Sequence, residues 1–359
     1  MNPANSRSID GRLQTRAAAL FGTDYPIVQT GMGWVAYPRL VTAVSNAGGL
    51  GILAAATMTL DEMKKAISSV RDNTDRPFGV NLRTDAADID ARIDHLIASK
   101  VRVASFAQAP SEPMVKKLRD AGLVTMPTVG ARRHAEKVAE WGVDAVIAQG
   151  AEGGGHTGTV PTSILLPQVT DAVDIPVLAA GGFTGGSGLA AALAWGADGI
   201  AMGTRFLLTR ESQVPAAVKD IYFATDVNGT VVSRSIDGAP QRVIRTDMVD
   251  QLETARLTAF PRAAMNALRF RKLTGVPLRD LVTEALAMKR SQGLTWSQIA
   301  LAANAPMLTK AAMVDGHPEV GILPTGQGLG VIANGPAVAD VMAEIVADAV
   351  AALDRIAPA

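Results

Sequence analysis

Ile175-Pro176-Val177-Leu178-Ala179-Ala180-Gly181-Gly182 and, further on, Gly199-Ile200-Ala201-Met202-Gly203-Thr204-Arg205 decide how this chain folds. Each is an apolar run of strand length that ends in glycine, and a helical pattern separates them. In a parallel α/β barrel, the turns after the last two strands commonly hold a phosphate group. Just upstream lies Ala148-Gln149-Gly150-Ala151-Glu152-Gly153-Gly154-Gly155-His156-Thr157-Gly158, which puts one histidine on a glycine-rich loop directly after an apolar strand. Together the stretches point to a phosphorylated cofactor held beside a single acid–base group.

Working outward, strand-like apolar runs recur at 26–30, 50–54, 78–82, 101–106, 123–128, 145–149, 177–180 and 199–202, with amphipathic segments between them. Strands alternating with helices imply a parallel sheet with right-handed crossovers. Eight such units predict a closed (β/α)8 TIM barrel with a mainly helical insertion or cap; an open doubly wound sheet is the alternative. After Arg205 the texture changes. Residues 212–330 carry few strand-like runs and read as mainly helical, for example at 248–257, 263–268 and 278–288. Residues 338–353 have the spacing of a final outer helix. The expected division is a barrel at 1–211, a cap at 212–330, and a C-terminal segment at 331–359 that packs back on the barrel.

The chain has 359 residues, and a barrel alone takes roughly 250, so the cap has room. Hydrophobic residues make up 48%, enough for a large core, and the 34 basic residues balance the 34 acidic ones. That balance argues against a general nucleic-acid binder. The absence of cysteine excludes disulfides, thiolate metal sites and a cysteine nucleophile. The four histidines are scattered without metal-ligand spacing, so no metal site is expected. Asn5, Arg7, Asp10 and Arg12 interrupt any apolar signal core, and no run is long enough to span a membrane. A cytoplasmic protein is expected, and the apolar fraction allows a homodimer.

Active sites of such barrels lie at the carboxyl ends of the strands. After the first strand come Thr30, Gly31, Met32, Gly33 and Trp34, where glycines let the backbone approach a flat ligand. Asn81, Thr128 and Gln149 end later strands. The Asn81 amide can both donate and accept, which suits the edge of a heteroaromatic ring. Each of these taken singly is more readily a turn or capping residue; as a set at several strand ends they are not. Gly181-Gly182 and Gly203-Thr204 are the phosphate candidates, through exposed amides and the Thr204 hydroxyl. His156 has a pKa range suited to proton transfer at neutral pH, whereas His95, His134 and His317 read as surface or turn residues. Glu152 could orient His156 or pair with a basic neighbour. Arg256, Arg262, Arg269, Arg271, Lys272 and Arg279 form a basic stretch, either a solvated helix face or a contact for the phosphates of a coenzyme A substrate.

These residues resemble the 2-nitropropane dioxygenase-like flavoproteins, which include nitronate monooxygenases, NAD(P)H:quinone reductases and some enoyl reductases. The resemblance covers nearly the whole chain. It rests on Val28-Gln29-Thr30-Gly31-Met32-Gly33, Ala47-Gly48-Gly49-Leu50-Gly51, Phe78-Gly79-Val80-Asn81, the His156 loop, the two phosphate turns and Leu323-Pro324-Thr325-Gly326-Gln327-Gly328. It implies an FMN-binding barrel with the phosphate on Gly181, Gly182, Gly203 and Thr204. The flavin ring would lie near Gly31, Met32, Asn81 and Gln149; Thr30, Thr128 and Gly154 are further expected cofactor contacts, and His156 is the matching histidine. Within the family, residues 29–36, 57–62, 101–106 and 295–298 look closest to the IpdC subgroup of bacterial steroid catabolism, which is thought to act on a bicyclic ring remnant carried as a coenzyme A thioester.

The resemblance implies an FMN oxidoreductase acting on a C–C bond of a cyclic acyl-CoA, introducing or reducing a ring double bond, with NAD(P)H as a conceivable reductant. Nitronate or quinone chemistry ranks second, since some quinone-reductase relatives carry a lysine and an aspartate where Thr128 and Gln149 stand. A flavin-free barrel isomerase or aldolase ranks third. No separate dinucleotide fingerprint is visible.

Overall fold

The computed structural model describes residues 9–254 and 304–356. The helical readings at 263–268 and 278–288, the end of 248–257, the basic residues from Arg256 to Arg279, and the 295–298 stretch lie outside the described residues. Eight parallel strands form a closed barrel: β1 (Ile27–Gln29), β2 (Leu50–Ala54), β3 (Phe78–Leu82), β4 (Val103–Phe106), β5 (Val124–Val129), β6 (Val146–Gln149), β8 (Val177–Ala180) and β9 (Gly199–Met202). The pairing Val28↔Ala201 closes the ring between β1 and β9. Each barrel strand matches a run expected from the sequence, except that β5 extends one residue past its run, to Val129.

Alternation along the strands divides the core in two. Val28, Leu50, Ile52, Val103, Val124, Met126, Ile147, Leu178 and Ala201 form one buried cluster inside the barrel, as the period of two requires. Ala17 and Phe21, from the short helix Arg16–Phe21, join it and plug its N-terminal end. The intervening residues face outward and pack under the helices. Leu53, Phe78, Val80, Leu82 and Phe106, for example, meet Met63, Ile67 and Val70 of the helix Leu60–Arg71. That helix starts on a reciprocal capping box between Thr59 and Glu62, a local signal readable in the sequence.

The 19-residue helix Val338–Ile356 packs on Gly186–Ala194 and on Pro38–Asn46, and so takes the eighth place in the outer ring. The chain between β9 and this helix is therefore an excursion over the barrel. Its described part includes the helices Ala216–Ala224, Asp247–Thr254 and Asn304–Met313, together with strands β10 (Thr230–Ser233) and β11 (Gln241–Ile244). A two-residue strand, β7 (Gly155–His156), completes a small antiparallel sheet in the order β10-β11-β7. These three strands have no counterpart among the sequence-predicted ones.

Candidate active site

The histidine loop is fixed by backbone on both sides. His156 is paired with Gln241, and Gly155 with Arg242, across β7 and β11. The Thr157 N–H donates to the Pro240 carbonyl at 3.0 Å, and Gln149 Nε2 donates to the His156 carbonyl at 2.8 Å. The imidazole has one close side-chain partner: Nε2 lies 2.7 Å from Asp237 Oδ2. Asp237 sits in the turn between β10 and β11, where its Oδ1 accepts the Ala239 N–H at 3.1 Å. The His156 side chain is 62% exposed and the Asp237 side chain 9%, so the ring stands in the open with a buried carboxylate behind it. The hydrogen bond to Asp237, helped by its charge and opposed by partial burial, lifts the His156 pKa above its ordinary 6.5.

Asp237 was not singled out from the sequence. The signal available was Asp237-Gly238, a turn pair between two short apolar runs. Glu152, considered there as a partner for His156 or for a basic neighbour, makes no hydrogen bond to His156 among the described residues; its charge acts on Arg242 without a salt bridge. Its carboxylate accepts the Thr162 N–H and, at 2.7 Å, the Thr162 hydroxyl, so it tethers the start of the helix Thr162–Thr170. Arg242 is the nearest built-in cation. Its Nε and Nη2 donate to the Ala151 carbonyl at 3.2 and 3.0 Å, and Nη1 donates to Thr230.

The two glycine turns meet a third segment. Gly181 and Gly182 have φ of 101° and 79°, a region that side-chain-bearing residues rarely enter. Among the described residues, no backbone carbonyl accepts the N–H of Gly181, Gly182 or Gly203. Thr204 Oγ1 accepts the Gly326 N–H at 2.9 Å and lies 3.4 Å from the Thr325 hydroxyl. The Gln327 N–H donates to the Glu152 carbonyl, and Gly154 packs against the Thr325–Gly326 backbone. Thr325 to Gly328 thus joins the His156 loop to the phosphate turns.

On the opposite wall, Gly31 lies flush against Asn81, so that a Cβ at residue 31 would collide with the Asn81 side chain. Asn81 points into the barrel and is 3.4 Å from the Ser105 hydroxyl. Thr30 and Met32 line the approach to Gly203. Trp34 adopts φ 64° and its buried Nε1 has no hydrogen-bond partner. Thr128 is half-buried on β5 opposite Ile147. No cluster of three or more His, Asp or Glu side chains suited to a metal occurs among the described residues. Nor is any described helix long and apolar enough to cross a membrane.

Comparison with known proteins gives the family of the chain. The sequence profile of the nitronate monooxygenase family matches residues 14–92 and 84–348. A protein of Rhodococcus jostii is 54% identical over 96% of this chain and 98% of its own length. One of Mycobacterium tuberculosis is 53% identical over 94% and 97%. Both are named (3aS,4S,5R,7aS)-5-hydroxy-7a-methyl-1-oxo-octahydro-1H-indene-4-carboxyl-CoA dehydrogenase. A probable nitronate monooxygenase of Staphylococcus aureus is 30% identical over 67% of this chain and 80% of its own. Among solved structures, FabK from Thermotoga maritima superposes with a TM-score of 0.79 at 32% identity, covering 95% of this chain and 98% of FabK. The chain therefore belongs to the nitronate monooxygenase family, whose members are flavin-dependent oxidoreductases.

Proposed function

We propose that this chain is an FMN-dependent dehydrogenase that introduces a double bond into the ring of a cyclic acyl-CoA of steroid catabolism. The carrying observation is His156, exposed at the mouth and backed by buried Asp237, on a loop tied through Thr325–Gly326 to the glycine turns. The near-full-length identity to two dehydrogenases named for an indene-carboxyl-CoA substrate gives the substrate class.

The residues fit FMN. Gly181 and Gly182 present N–H groups in a conformation that only glycine adopts without strain, beside Gly203 and the Thr204 hydroxyl. A flat ring has a wall in Gly31, Met32 and Asn81, with Thr30, Thr128, Gln149 and Gly154 around it. Bound FMN supplies a two-electron hydride acceptor; the protein supplies orientation and proton transfer. A thioester acidifies the C–H next to its carbonyl, and the imidazole takes that proton at Nδ1, the nitrogen not engaged by Asp237. Loss of this proton and of one hydride from the neighbouring carbon balances formation of one C=C bond.

The test is a visible spectrum of the purified protein, followed by anaerobic addition of an indene-carboxyl-CoA. Flavin absorbance that bleaches with the acyl-CoA is expected. A colourless protein that gains no absorbance with added FMN refutes the cofactor. Aerobic oxygen uptake with a nitronate, without bleaching by the acyl-CoA, turns the assignment to the nitronate chemistry of the family. NAD(P)+ and oxygen are the electron acceptors to compare in steady-state turnover.

A further inference from the structure

The geometry points to Asp237 as the positioning residue of the acid–base histidine: it fixes the imidazole with Nδ1 toward the reacting carbon and holds it in the proton-accepting tautomer. This rests on the role proposed above for His156. A neutral histidine carries one ring proton, and a carboxylate acceptor dictates which nitrogen bears it. With Asp237 Oδ2 at 2.7 Å from Nε2, the proton sits on Nε2 and the lone pair on Nδ1.

Asp237 is itself held. Its Oδ1 is engaged by the Ala239 N–H, its side chain is 9% exposed, and its turn is anchored by the β10–β11 ladder. The histidine is pinned at the other end by β11 and by the Gln149 amide on its carbonyl. The pair spans 81 positions in sequence and joins the barrel to the excursion between β9 and the last helix. The acid–base unit is thus assembled only when that excursion is folded over the barrel mouth.

The other charged groups near β7 are committed elsewhere. Glu152 on the preceding loop is tied to Thr162, and Arg242 on β11 is tied to Ala151 and Thr230. Gln149, from β6, is neutral. Among the described residues, Asp237 is the one carboxylate in hydrogen-bond contact with His156.

The experiment is an imidazole NMR titration of His156 in the flavin-loaded wild type, Asp237→Asn and Asp237→Ala, together with the pH profile of kcat/KM. Asn keeps one acceptor, for the Ala239 N–H, and turns its NH2 toward Nε2, which removes the charge and favours the opposite tautomer; Ala removes both acceptors. The His156 midpoint is expected to move to lower pH in both variants, and the acid limb of kcat/KM to move with it. Turnover should fall about 10-fold or more with Ala and further with Asn, whose NH2 on Nε2 enforces the wrong tautomer, approaching the ~10²–10⁴-fold that loss of an acid–base group costs. Unchanged His156 midpoints in both variants would overturn the inference, even if His156→Ala is inactive. If the midpoints move but His156→Ala keeps full turnover, the acid–base reading of His156 fails, and Asp237 loses its catalytic purpose with it.

Discussion

The two ends of this barrel are made from the same eight strands and differ in what is left available for a ligand. At the N-terminal end the polar groups satisfy one another. Arg16 makes two hydrogen bonds to Asp198, Asp198 also accepts the Val177 N–H, and Asp144 accepts both the N–H and hydroxyl of Thr125. Two hollows of about 670 and 510 Å³ lie there, lined by residues such as Arg16, Asp144, Arg76 and Arg102. At the carboxyl end, by contrast, among the described residues the amides of Gly181, Gly182 and Gly203 have no carbonyl partner and one ring nitrogen of His156 has no hydrogen-bond partner. Unmatched donors and an exposed acid–base group choose the end where barrel enzymes place their chemistry.

The sharpest way to break this contrast is His156→Ala, which should lower turnover by ~10²–10⁴-fold while leaving FMN bound; stopped-flow reduction of the flavin measures it. Because imidazole must be neutral to accept a proton, wild-type kcat/KM should rise with pH and level off only above the lifted His156 pKa. Next comes Gly182→Ala. Forcing a Cβ into φ 79° costs about 1–2 kcal/mol, so FMN should bind about tenfold more weakly, read by equilibrium titration of apoprotein. At the other end, Asp198→Ala leaves the buried Val177 N–H unpaired at a cost of about 1–3 kcal/mol. Its urea midpoint should fall with kcat unchanged. Arg16→Ala is the mildest: the Arg16 side chain is 58% exposed, so its loss should cost only about 0–1 kcal/mol and leave turnover intact. If either N-terminal variant alters flavin reduction, the division of labour between the two ends is wrong.

The barrel was legible because its signals are local. Apolar runs at 50–54, 78–82 and 177–180 match the observed strands, since burial on both faces writes a continuous apolar run into the sequence. The strands missed have no such signature. β7 is two residues, one of them glycine; β10 is mostly partly exposed, and β11, though largely buried, carries Gln241 and Arg242 beside Val243 and Ile244. The misreading of Glu152 has a similar cause. Its nearness to His156 in sequence drew the two together, whereas the loop turns its carboxylate onto Thr162.

The sequence by itself determined the alternation of strand and helix, the glycines whose backbone must bend or approach closely, and the lone histidine after β6. Those properties depend on neighbours a few residues away. Only the tertiary structure decided that Asp237 meets His156, that Gly326 caps Thr204, and that Gln149 holds the histidine backbone. The first two contacts join residues 81 and 122 positions apart. They exist because the chain after β9 folds back across the barrel mouth, and no local pattern encodes where such a fold lands.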